Sequence, residues 1–203
     1  MRGTSRTARR RDVPPDRERW VIPSVMPPSS AGHDMAIVTA FHFEEHGTVP
    51  NNPRLPVLFY VAAFPAEAAD MATLMEERFE GNGWPPQWRN GIYDFQHYHT
   101  EGHEALGIAA GKATLLLGGE RGREIEVAAG DVVLLPAGTG HRCLRASQDL
   151  LVIGAYPPGQ SGDIVRTEAT APIRRAIARL AFPASDPVAG YDGPVSYHWS
   201  ESI

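Results

Sequence analysis

Cysteine is almost missing: the 203 residues contain one, Cys143. A single thiol excludes an internal disulfide framework and fits a reducing compartment, so a cytoplasmic location is expected. Long apolar runs are missing too. The longest, LPVLFYVAAFP (55–65), falls well short of the roughly 20 residues that span a bilayer. No membrane partner is expected.

Positive charge is scarce in the body of the chain. Residues 1–34 carry seven arginines and four acids. Removing these from 19 basic and 24 acidic residues leaves 12 and 20, a net charge of −8 over residues 35–203. An acidic body is a poor nucleic-acid partner. The arginine run is followed by VPPDRERWVIPS rather than an apolar segment, which argues against an export signal. It reads as a disordered tail or a mis-assigned start ahead of Met26 or Met35, with a functional arm the less favoured reading.

What is present is a series of short β-type runs. IVTAFHF (37–43) and VLFYVA (57–62) read as strands, and GTVPNNPRLP (47–56) between them as loop. Pro65 suits the first turn of a helix running to about Glu80, because Met71, Leu74, Met75 and Phe79 recur at three- and four-residue spacing. GNGWPPQWRNG (81–91) reads as irregular. From Gly91 to Tyr156 follow IYDFQHYH, EALGIAA, KATLLLGG, REIEVA, DVVLLP, HRCLRA and LLVIGAY, with AAGK, GGERG, AAGD and PAGTG as turns. Many short strands at regular spacing predict an antiparallel sandwich or barrel. A short helix over 171–180 and a Pro/Gly-rich tail complete the chain.

HYHTEGHE (97–104) concentrates ligand atoms. Strand alternation places Tyr93, Phe95, His97 and His99 on one face and Asp94, Gln96 and Tyr98 on the other. Glu104 can bring a carboxylate to the same spot after the TEG turn, and PAGTGH brings His141. Three imidazoles and a carboxylate suit a divalent transition ion (iron, manganese, nickel, cobalt, copper or zinc) rather than calcium or magnesium. His103, next to the inward Glu104, should face away, supporting the ligands from behind or lying at the surface. Tyr93 and Phe95 are expected to line a cavity. Cys143, two residues after His141, shares the inward face, as a small buried hydrophobe or a reactive thiol.

Gly91, His97, His99, Glu104 and Gly111, followed after eighteen residues by Gly130, Pro136, Gly138 and His141, have the residue types and spacing of the two cupin signatures. The chain therefore resembles the cupin superfamily. One position departs: Arg145 stands where the second signature commonly has Asn. A wider likeness over about residues 37–196, in GTVPNNPRLPVLFY, NGWPPQWRNGIYDFQHYH, GAYPPGQ and DPVAGYDGPV, is to the small bacterial cupins called YjlB-like. The resemblance implies an all-β fold, a double-stranded β-helix or jelly-roll barrel with an N-terminal helix and a short C-terminal extension. The expected division is 1–34 tail, 35–90 strands and helix on the barrel, 91–157 barrel core and 158–203 extension. It also implies His97, His99, Glu104 and His141 as metal ligands, a small-molecule ligand, and a homodimer. It supplies no reaction. A metal enzyme of dioxygenase type on a small, anionic, oxygen-rich molecule is the leading expectation. A metal-dependent decarboxylase or sugar isomerase, and a non-catalytic binding protein, are the alternatives. A ligand-sensing regulator would need a DNA-binding module, and none is visible.

Overall fold

The computed structural model describes residues 36–199, so the expectations for residues 1–34 lie outside the described residues. Among the described residues, nine strands form two antiparallel sheets. β1 (Ile37–Phe41), β2 (Val57–Val61), β3 (Pro86–Asn90), β4 (Glu104–Ala110), β7 (Val132–Leu135) and β9 (Leu151–Ala155) make the larger, in the order β1-β2-β7-β4-β9-β3. β5 (Lys112–Leu117), β6 (Arg123–Ala128) and β8 (His141–Ala146) make the smaller, in the order β6-β5-β8. This is the expected jelly roll. The strands from before Gly91 are hydrogen-bonded members of the larger sheet, so they help build the barrel wall.

Period-two alternation sorts side chains to two cores. Leu106, Ile108, Val133, Leu135 and Val152 face inward and meet Leu115, Leu117, Ile125 and Val127 of the smaller sheet. Ala105, Ala109, Leu58, Tyr60, Val132, Leu134 and Ile153 face outward. They are covered by helix α1 (Met71–Gly81) and by the C-terminal segment carrying Trp199. Gly107 makes that cover close, since a Cβ there would lie 2.9 Å from both Met75 and Phe79. The two-sided burial explains why β7 reads VVLL, apolar throughout rather than alternating.

Several sequence expectations are corrected. α1 starts at Met71, not Pro65, because the Asp70 carboxylate accepts the Thr73 N–H at 3.0 Å and caps it. Residues 86–90 are a strand, not irregular; Pro86 is tolerated as the first residue of an edge strand. IYDFQHYH is not a continuous strand. Only His97 and Tyr98 bridge, to His141 and Val165. The Pro/Gly-rich tail is not loop alone. Helix α2 (Ala171–Arg179) arrives as expected, and a further helix, α3 (Pro194–His198), begins after Asp186 accepts the Val195 N–H.

Candidate metal centre

The centre is assembled where the loop before β4 meets the turn before β8. His97 and His141 exchange backbone hydrogen bonds of 3.3 and 2.9 Å. The turn between β7 and β8 needs Gly138, with φ +91°, and its N–H donates to the His99 carbonyl at 2.8 Å. Asn51 and Asn52 brace this turn: Asn51 Oδ1 accepts the Gly140 N–H at 3.1 Å, and Asn52 Nδ2 donates to the Ala137 carbonyl at 3.0 Å. Glu104 opens β4, paired with Leu135.

His97, His99 and His141 are buried, with ring nitrogens within 4.8 Å of one another. Each Nδ1 faces a backbone carbonyl: Phe95 at 3.1 Å for His97, Thr139 at 3.0 Å for His141, and Asp163 for His99. A carbonyl only accepts, so each Nδ1 carries the hydrogen and each Nε2 is left to face inward. Glu104 Oε2 lies 3.1 Å from His99 Nε2 and 3.4 Å from His141 Nε2. Its other oxygen accepts the Tyr156 hydroxyl, which in turn accepts from Trp88 Nε1 at 3.0 Å. The inward atoms are therefore all acceptors. Such a set needs a positive charge between its members, either a proton or a metal ion. Three anchored imidazoles and an oriented carboxylate fit a divalent transition ion.

The electrostatics show what the protein groups do on their own. Burial disfavours the His99 imidazolium, but the adjacent Glu104 carboxylate outweighs it and pushes His99 up to about 9. For Glu104, burial favours the neutral acid, and the His99 charge and its hydrogen bonds outweigh that, holding it well below the usual range. Burial, then the neighbouring His141, pushes His97 down to about 3, so its Nε2 stays unprotonated. Burial and the Glu104 charge push the Tyr156 hydroxyl far up, keeping it a donor.

The four residues that the signatures single out thus converge. His103 does face away, yet it is fully buried rather than at the surface. Its Nδ1 accepts the Ala137 N–H at 3.0 Å and its ring lies 4.9 Å from Trp199. Tyr93 lines the cavity. Phe95 stacks on Tyr93 at 4.7 Å, beneath the Arg166 guanidinium, and is not a lining residue. Cys143 packs in the inter-sheet core and donates to the Arg145 carbonyl, also away from the cavity wall. Tyr156, Trp88 and Asp163 are the residues sequence reasoning missed. Extending the alternation of β9 by one position would have put Tyr156 on the inward face of Val152 and Gly154. Asp163 gives no such signal: it sits in a loop, where its carboxylate also accepts from Thr100 and Glu101.

Above the centre is a cavity of about 310 Å³, walled by Trp88, Ile92, Tyr93, Leu106 and Ile164 with Gln87, Asn90 and Ser161. No helix among the described residues is long and apolar enough to cross a membrane.

Two facing antiparallel sheets, with both signature motifs delivering their residues to one buried point, define a cupin. The chain is 34% identical over 165 residues to a Bacillus subtilis (strain 168) protein described as uncharacterized protein YjlB, covering 78% of this chain and 94% of that one. It belongs to the YjlB-like cupin family. No family model matches the chain. Among solved structures, a DUF861 family protein from Thermotoga maritima is 24% identical, with a TM-score of 0.30, over 40% of this chain and 85% of that one. An oxalate decarboxylase is 18% identical, with a TM-score of 0.31, over 54% of this chain and 22% of that one.

Proposed function

We propose that the protein holds one divalent transition metal on His97, His99, Glu104 and His141 and acts through it on a small anionic molecule, as a dioxygenase-type enzyme. The observation that carries the metal reading is the inward set of acceptors: three Nδ1-anchored imidazoles facing a carboxylate fixed by Tyr156. When bound, such an ion supplies Lewis acidity and, if it is iron, a site for dioxygen. The chain anchors each imidazole through its Nδ1, keeps His97 unprotonated and fixes Glu104 through Tyr156.

The cavity wall bears on the reaction class. Apart from the four ligands, its titratable side chains are Tyr93 and Tyr156, and Tyr156 is already committed to Glu104. Glu101 is exposed and lines no part of it. Decarboxylation and sugar isomerisation ordinarily need a protein acid or base within reach. Their lack of one here favours oxygenation, with non-catalytic ligand capture as the second reading. We read the protein further as a cytoplasmic homodimer, a reading supported by its single buried thiol and by the exposed Ile37 on edge strand β1.

The test is metal content by mass spectrometry on the purified protein, His97→Ala and His141→Ala, followed by dioxygen uptake with small carboxylates and phenols. Near-stoichiometric metal in the parent, lost from both variants, is expected. Full occupancy in both variants would overturn the ligand assignment. Zinc without turnover would favour ligand capture over the enzyme.

A further inference from the structure

The cavity lining specifies more than a generic anion. Among the described residues, the fifteen that line the cavity include no lysine or arginine, and Glu104 is the one carboxylate. A divalent ion, neutral imidazoles and one carboxylate sum to a single positive charge. One negative charge on a ligand cancels it. A second or third would sit in a partly dry cavity with no lining charge to offset it. Two nearby guanidiniums have partners away from the lining: Arg89 pairs with Glu76, and Arg166 lies over the Phe95 ring.

The walls combine apolar and aromatic side chains with the neutral polar Gln87, Asn90 and Ser161. Trp88, Tyr93 and Tyr156 present rings, and Leu106 and Ile92 fill between them. Two of the six exposed large hydrophobics of the described residues line the cavity, Tyr93 at 49% and Ile164 at 46% exposure. Exposed apolar side chains that line a cavity mark a ligand-contacting surface. At about 310 Å³ the space is at the small end of ligand sites.

Resting on the metal reading above, we propose that the ligand is a monoanionic aromatic chelator of about one ring, with two adjacent oxygen donors, such as a hydroxybenzoate. The oxygens face the centre, and the ring lies between Trp88, Ile92 and Tyr93. Polycarboxylates and sugar phosphates, which carry more charge and no apolar face, are disfavoured.

The test uses Co²⁺-loaded full-length protein, read by visible absorption. Appearance of the cobalt spectrum checks the metal reading on its own, and its absence would overturn both readings. The loaded protein is then titrated with 2-hydroxybenzoate, citrate and glucose 6-phosphate. At least tenfold tighter binding of 2-hydroxybenzoate, with a spectral change, is expected. The exposed position keeps Tyr93→Ser foldable; it should weaken 2-hydroxybenzoate about tenfold and leave the cobalt spectrum in place. A normal cobalt spectrum with citrate or glucose 6-phosphate bound as tightly as 2-hydroxybenzoate, or with none of the three bound, would overturn this proposal alone. So would a Tyr93→Ser variant that binds 2-hydroxybenzoate like the parent.

Discussion

Asp186 and Glu104 are both buried carboxylates, 0% and 2% exposed, yet their partners differ in kind. Asp186 is ringed by donors: the Tyr60 hydroxyl at 2.5 Å and the N–H groups of Val188, Ala189 and Val195 at 2.8, 2.9 and 3.1 Å. Burial first, and then the Asp186 charge, push Tyr60 far up, so it remains a donor. This network fastens the C-terminal segment to β2 and asks for nothing more. Glu104 has one permanent donor, Tyr156, and otherwise faces the Nε2 atoms of His99 and His141, which can donate to it only with an added proton. A saturated buried charge is architecture; one facing further acceptors is a site.

The contrast can be broken by amide substitutions at the two positions. Asp186→Asn turns one acceptor into a donor among donors, so urea unfolding should show a loss of about 3–5 kcal/mol with metal affinity unchanged. A loss under about 1 kcal/mol would remove the distinction. Glu104→Gln should do the reverse. Its amide can donate to the imidazoles, so stability in chelator should stay within about 1 kcal/mol. Metal affinity should fall more than about 100-fold, beyond what loss of a supporting hydrogen bond costs. A Gln variant that retains metal would show that Glu104 is not a ligand.

Tyr156→Phe tests the one permanent donor Glu104 has. The carboxylate would be free to rotate, and chelator competition should show a loss of about 10–100-fold in metal affinity with the fold intact. The smallest effect is on pH dependence. His99 is raised from an ordinary 6.5 to about 9. In chelator, the stability it contributes is fully present below pH 6.5 and is lost as pH rises through 9, by at most about 1.4 kcal/mol per pH unit. Metal must displace that proton, so uptake at pH 7 should release about one, counted by calorimetry in buffers of different ionisation enthalpy. No release would mean that no proton sits between His99 and Glu104.

Much of this was legible along the chain. β4 through β9 fall on the runs read from alternation and turn residues, because each strand has an inward and an outward face to satisfy. The four converging residues were legible from spacing alone. The loop before them was less so. In residues 92–99 the alternation survives, but His97 turns its Nδ1 onto the Phe95 carbonyl and His99 turns onto Asp163, so local bonds replace the strand ladder. β3 was hidden by its prolines, and α3 by a tail composition that gave no sign of the Asp186 network.

By itself the sequence determined the strand alternation, and with it the direction in which His97, His99, Glu104 and His141 point. Those are local properties, fixed by backbone period and spacing. The tertiary structure alone decided which carboxylate is architecture and which is a site. That depends on partners 50 or more residues away: Tyr156 for Glu104, Asp163 for His99, and Tyr60 for Asp186. It also decided the cavity's chemistry, because only folding keeps the lysines and arginines of the described residues off one wall while bringing Trp88, Tyr93 and Ile164 around it.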